Sequence, residues 1–157
     1  MIRTLLYRLT NRLPARTISD DGTPYLERYY VGTLFGVRFY LHQFVDSDPD
    51  RGLHDHPWPW AFSFILAGSY LEETRSGTRR VRWFNTLVGD SFHRVILPDP
   101  AKPVWTLFGH RAKRVKPWGF MRVSKAPDVF VFVQHTPSTD EHWWRTAPSG
   151  RHLRGLA

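Results

Sequence analysis

The segment Gly52-Leu53-His54-Asp55-His56-Pro57-Trp58 carries two histidines one residue apart. Side chains of an extended strand alternate with a period of two, so His54 and His56 project to one side and offer two corners of a metal site. A third histidine, His93, follows the turn-forming Gly89-Asp90 and can arrive from a neighbouring strand. The chain has no cysteine, so any metal must be held by His, Asp or Glu. Glu72 is the first carboxylate downstream of the histidine pair. It is expected as a fourth ligand or as a partner that orients one, the alternative being an ion pair with an arginine of its own hairpin.

Further candidates follow from the same chemistry. Tyr70 or Tyr40 could serve as a proton donor. Arg94, Arg38 or Arg122 could grip a substrate carboxylate in a bidentate pair. His42 shares a strand face with Arg38 and Tyr40, and reads as a hydrogen-bonded wall histidine or a near neighbour of the metal. Trp58, Trp60, Phe62 and Trp105 are the aromatics expected either to keep water from the site or to fill the core.

The order of these residues resembles the cupin superfamily. The first cupin motif runs glycine, His-x-His, an apolar strand and a Leu-x-Gly turn, here Gly52, His54, His56 and Ile65-Leu66-Ala67-Gly68. The second supplies a Gly-Asp turn and a histidine, here Gly89-Asp90-Ser91-Phe92-His93. The resemblance covers residues 36 to 124. Two departures stand out. Trp60 and Ala61 occupy the positions of the usual glutamate, and the second motif lacks its proline and terminal asparagine.

The resemblance implies an all-β fold, a cupin-type antiparallel β-barrel or jelly roll with short terminal helices. It also implies a three-histidine site similar to that of the thiol dioxygenase branch, with His54, His56 and His93 as ligands and Glu72 beside them. The implied cofactor is a divalent metal, Fe(II) first, with Zn, Ni or Mn compatible. The implied function is a metal-binding cupin, an Fe(II)-dependent oxygenase of a small anionic substrate in which Tyr70 and Arg94 are the catalytic candidates. Two alternatives stay open: a metal-free cupin isomerase or epimerase, and a non-catalytic basic binding module.

Composition bounds these readings. At 157 residues the chain suits one domain with one core, divided into a basic N-terminal segment 1–19, a barrel 20–135 and a tail 136–157. The formal charge is +8, carried mainly by arginine, with only four lysines, which points to anionic partners. A nucleic-acid partner is not expected, because no RNP, helix-turn-helix or zinc-finger signature is present. No apolar run approaches the ~18 residues that span a bilayer, so a soluble, cytoplasmic protein is expected, and a homodimer is allowed.

The elements that must position the site read as follows. Ile2, Leu5, Leu6, Leu9 and Leu13 fall at helical spacing among arginines, which predicts a short basic amphipathic helix within 1–19. Docking on the barrel is the plain expectation, against a membrane-surface helix or an organelle-targeting segment. Asp20-Asp21-Gly22 marks a turn, followed by strands over 25–31 and 36–45. The acidic loop 46–50 is expected as a solvated turn, and 69–85 as a hairpin. Strands are expected over 92–97, 104–108, 119–123 and 129–133, with an exposed basic loop at 109–117. Thr139 is a candidate helix cap in the tail.

Overall fold

The computed structural model describes residues 1–124, 129–136 and 140–156. Among these, twelve strands form two six-stranded sheets in which every pairing is antiparallel. The strands are β1 (Ala15–Asp20), β2 (Thr23–Leu34), β3 (Val37–Phe44), β4 (Leu53–His54), β5 (Trp60–Ala67), β6 (Tyr70–Thr74), β7 (Gly77–Val81), β8 (Phe84–Val88), β9 (His93–Ile96), β10 (Val104–Arg111), β11 (Gly119–Val123) and β12 (Phe130–Gln134). The first sheet has the order β1-β2-β3-β10-β5-β8 and the second β12-β11-β4-β9-β6-β7. The sheets face one another, as expected for an all-β barrel of the jelly-roll type.

Two tight turns set the register of the first sheet. Asp21 and Gly22 both take positive φ (45° and 81°), as do Phe35 and Gly36 (50° and 71°). Paired left-handed residues match the twist of a hairpin, and glycine takes that conformation without a Cβ penalty. The β2–β3 turn therefore lies at Phe35-Gly36, and β2 runs on through Gly32 across a register shift.

The core is unevenly distributed. At one end of the sandwich, Leu26, Phe44, Ile65 and Val104 of the first sheet meet Tyr70, Val81 and Val95 of the second. The other end holds a cavity, walled in part by a smaller cluster of Tyr40, Leu87 and Phe108. A helix, α1 (Ile2–Thr10), covers the outer face of the first sheet, where Leu6 packs with Tyr29, Leu41 and Trp105.

The N-terminal segment differs from its expectation in two ways. The helix ends at Thr10, and 15–20 form a strand, because Pro14 cannot continue a helix and Thr17 and Ile18 favour extended backbone. The helix is docked, yet through Leu6 and Thr10, while Ile2, Leu5 and Leu9 remain exposed. A short C-terminal helix, α2 (Gly150–Leu153), ties the tail to this end: Gly150 N bonds Leu13 O at 2.9 Å, and Arg154 donates to Tyr29 Oη. Thr139 lies outside the described residues. No helix among the described residues is long and apolar enough to cross a membrane.

Candidate metal centre

His54, His56 and His93 converge, each offering a nitrogen within 4.8 Å of the others. His54 and His93 are direct cross-strand partners on β4 and β9, with ring centroids 4.7 Å apart. His56 arrives differently. β4 stops at His54, and the chain leaves the second sheet through Pro57-Trp58-Pro59 to begin β5 in the first. Strand parity therefore accounts for His54 alone, since two prolines remove the donors a continuous strand would need.

What brings His56 back is Asp55, only 1% exposed. Its Oδ1 accepts from Gly119 N at 2.8 Å and its Oδ2 pairs with Lys116 Nζ at 2.7 Å, which pins the tripeptide to the start of β11. The Nε2 atoms of His56 and His93 then lie 3.0 Å apart. Two metal–nitrogen bonds of about 2.1 Å, meeting near a right angle, require a separation of about 3 Å.

Neighbouring carboxylates orient the cluster. His93 Nδ1 donates to Glu72 Oε1 at 3.0 Å, so its Nε2 is left to the cluster. Glu72 also accepts from Asn85 Nδ2 at 2.7 Å and pairs with Arg79. Burial alone would raise the Glu72 carboxyl, but the bonds from His93 and Asn85 and the nearby charges hold it below its usual range. Glu72 thus contacts both His93 and an arginine of its own hairpin.

Asp48 is the residue that sequence reasoning missed. Its loop was expected to be solvated, yet its Oδ2 accepts from Val95 N at 2.8 Å and lies 3.8 Å from His54 Nδ1. Burial raises its carboxyl, against that backbone bond and the charges of His93, Arg51 and Arg94. The available signal was an acidic run immediately before the histidine pair. Burial, followed by repulsion from neighbouring histidines and arginines, holds His54 and His56 well below the ordinary histidine range. Neutral imidazoles are the form a metal binds.

The cluster opens into a cavity of about 380 Å³ between the sheets. Tyr70 lines it, but its hydroxyl accepts from Asn85 Nδ2 at 3.2 Å, and burial pushes it up to about 12. Tyr40 and Arg38 line it as well, Arg38 paired with Glu141 of the tail at 2.9 Å. Arg94 does not. It points away from the cavity, where it binds Glu73 at 2.7 Å and Asp50 at 2.5 Å, as the alternation with His93 requires. Arg122 also lies off the wall, donating to Arg51 O. His42 is a wall histidine whose Nε2 accepts from Arg28 Nε at 3.0 Å.

The aromatic lining is sparser than expected. Trp58 alone of the four candidates faces the cavity, stacked on the buried His110 with centroids 3.5 Å apart. Trp105 lies beneath α1, and β5 turns Ala61, Ser63 and Ile65 inward with Trp60, Phe62 and Phe64 outward. The missing side chain of Gly109 makes room for Phe62, whose ring a Cβ would meet at 2.4 Å. The basic segment begins later than expected, because β10 continues through Arg111. Arg111, Lys113 and Arg114 are exposed, and Arg114 reaches the cavity rim. In the tail, Trp143 joins the cavity wall and Trp144 stacks on Tyr30 at 4.3 Å.

No family profile and no curated protein matches the sequence. Solved structures do match in fold. An iron(II) form of HppE is similar over 62% of this chain at 9% identity and a TM-score of 0.52, the match spanning 56% of the HppE chain. A cupin-2 domain protein of Rhodospirillum rubrum matches over 66% of this chain and 72% of its own, at 15% identity and a TM-score of 0.55. A cupin-superfamily sugar phosphate isomerase of Silicibacter pomeroyi matches over 78% and 87%, at 13% identity and a TM-score of 0.53. With the two facing antiparallel sheets and the histidine cluster at the cavity between them, these likenesses identify the fold of this chain as that of the cupins.

Proposed function

We propose that His54, His56 and His93 hold one divalent metal, Fe(II) first, and that the chain is an oxygenase of a small anionic molecule taken up in the cavity. The observation that carries this reading is the convergence of three imidazoles, two held neutral by burial and the third oriented by Glu72. Three neutral ligands leave a metal its full charge and open positions, where it supplies Lewis-acid or redox chemistry. The iron(II) form of the HppE neighbour supports iron as the first metal to test.

The chain's own groups then have assignable parts. Glu72 keeps the proton on Nδ1 of His93. Asn85 links Tyr70 to Glu72, so Tyr70 ends a buried polar chain and acts as a proton donor only to a group that enters the cavity. Trp58 and Phe108 form an apolar wall that excludes water. Arg94 serves as a positioning residue, anchoring through Asp50 the loop whose Asp48 faces His54.

Elemental analysis of natively purified protein tests the reading. About one equivalent of metal per chain is expected in the wild type, lost in His54→Ala and His93→Ala while circular dichroism is unchanged. Metal content that survives both substitutions sinks this proposal and leaves the metal-free isomerase reading in its place.

A further inference from the structure

Helix α1 buries only part of its apolar surface. At about 100° per residue, Ile2, Leu5 and Leu9 fall within one sector of about 60°, beside the sector of Leu6 and Thr10. Leu6 and Thr10 are buried, whereas Ile2, Leu5 and Leu9 keep 49%, 59% and 52% of their surface exposed. The sheet beneath the helix is also only half covered. Cross-strand register sets Tyr29, Leu41, Leu107, Phe64 and Phe84 in one row along its outer side. The helix covers Tyr29 and Leu41 and packs against β5. Further along the row, Phe64 and Phe84 touch at 4.6 Å between centroids yet are each 46% exposed, and Trp83 beside them is 80% exposed.

Six large apolar side chains so disposed exceed the single exposed residues of an ordinary surface and mark a contact. The charge around them says with what. No acidic residue precedes Asp20, and Arg8 and Arg12 fill the helix sector next to Leu5. Both are exposed and neither has a carboxylate partner among the described residues, whereas Arg3 is tied to Pro103 O at 2.8 Å. Arg82, next to Trp83, is exposed as well. A second copy is a poor match for this face, because a two-fold contact would bring two such sets of arginines together. A layer of negative charge over an apolar interior matches both properties.

We propose that this face seats the protein on an anionic phospholipid surface, with α1 lying in the headgroup layer. Ile2, Leu5 and Leu9 then enter the outer acyl region, to a depth of about 5 to 10 Å. Arg8 and Arg12 reach the lipid phosphates, since their long stems run along apolar surface while the charge stays in the polar layer. Trp83 supplies the amphipathic ring favoured at the same level. A helix of nine residues with three exposed apolar side chains binds weakly by burial alone, so the negative charge of the lipid is required. This contact goes beyond the proposed oxygenase and needs no metal.

The test is cosedimentation of the full chain with vesicles of phosphatidylcholine, alone or mixed with phosphatidylserine, at low and high salt. The wild type is expected to bind the mixed vesicles about tenfold or more tighter than phosphatidylcholine, and to leave them as salt rises. Arg8→Gln combined with Arg12→Gln should weaken that binding about tenfold or more, and so should Leu5→Ser combined with Leu9→Ser. All four side chains are exposed, so circular dichroism should stay that of the wild type. The proposal is overturned by a wild type that ignores the mixed vesicles or binds both lipids equally. It is also overturned if both double variants bind as the wild type does, which would assign the attraction to Arg111, Lys113 and Arg114. A lipid-free dimer that the leucine variant dissociates would give the face to a second copy instead. Should the leucine variant misfold, the arginine variant and the two-lipid comparison decide. Metal content of the same samples reads the histidine cluster separately, so either result stands without the other.

Discussion

Glu72 and His93 are joined by a buried hydrogen bond of 3.0 Å from Nδ1 to Oε1, and through it the hairpin β6–β7 dictates which nitrogen of His93 faces the cluster. Glu72→Gln keeps an acceptor but loses the charge that favours this tautomer. Metal affinity is expected to fall about 10- to 100-fold, against complete loss in His93→Ala. Competition with a chelator of known affinity measures both, and equal behaviour of Glu72→Gln and wild type would remove Glu72 from the centre.

Asp55 is the brace between the two motif histidines. Asp55→Ala strands the Gly119 N–H and leaves Lys116 with Asp90 only, at a cost of about 2 to 4 kcal/mol, because the lost acceptor is buried. Asp55→Asn keeps an acceptor for Gly119 and should lose less. Urea unfolding ranks the two. A ranking in which both are neutral would mean that the tripeptide is held by its prolines alone.

Gly52 opens the histidine motif for a steric reason. Its φ is +103°, and a Cβ there would stand 2.4 Å from Met121 O on β11. Gly52→Ala is expected to destabilise by about 2 kcal/mol or more and to displace β4 with His54. Stability within about 0.5 kcal/mol of wild type would contradict this.

Acid should weaken the metal-free protein earlier than carboxylate titration alone would. His42, His54, His56 and His110 are all held below the ordinary histidine range, chiefly by burial, His110 at about 3. The unfolded chain takes up their protons near pH 6.5 while the folded chain does not. Stability is therefore fully present above that pH and declines as pH falls below it, each histidine contributing up to about 1.4 kcal/mol per pH unit. Denaturant unfolding between pH 7.5 and 5.5 should show this decline, and His42→Gln should remove one histidine's share. A flat profile would place these rings in water.

The sheet positions of the site were legible where local chemistry repeats a rule. His54 and His93, the inward face of Arg38, Tyr40 and His42, and the turn at Asp21-Gly22 all follow from alternation and turn propensity. His56 was located correctly through a strand that does not exist, because its position depends on Asp55 reaching a backbone amide 64 residues away. Strand β1 was hidden by the amphipathic stretch before it. The outward rings of β5 invert the usual pattern because a cavity wall is polar and small where a core would be large and apolar.

That inversion has an evolutionary consequence. On β5 the rings that hold the wall together, Trp60, Phe62 and Phe64, and the residue that borders the cavity, Ser63, occupy opposite faces of one strand. Exchanging a small inner residue alters the room for a ligand without touching the outer stack. Lineages descended from such a barrel can therefore drift in substrate size one residue at a time, with the robustness of the scaffold inherited separately.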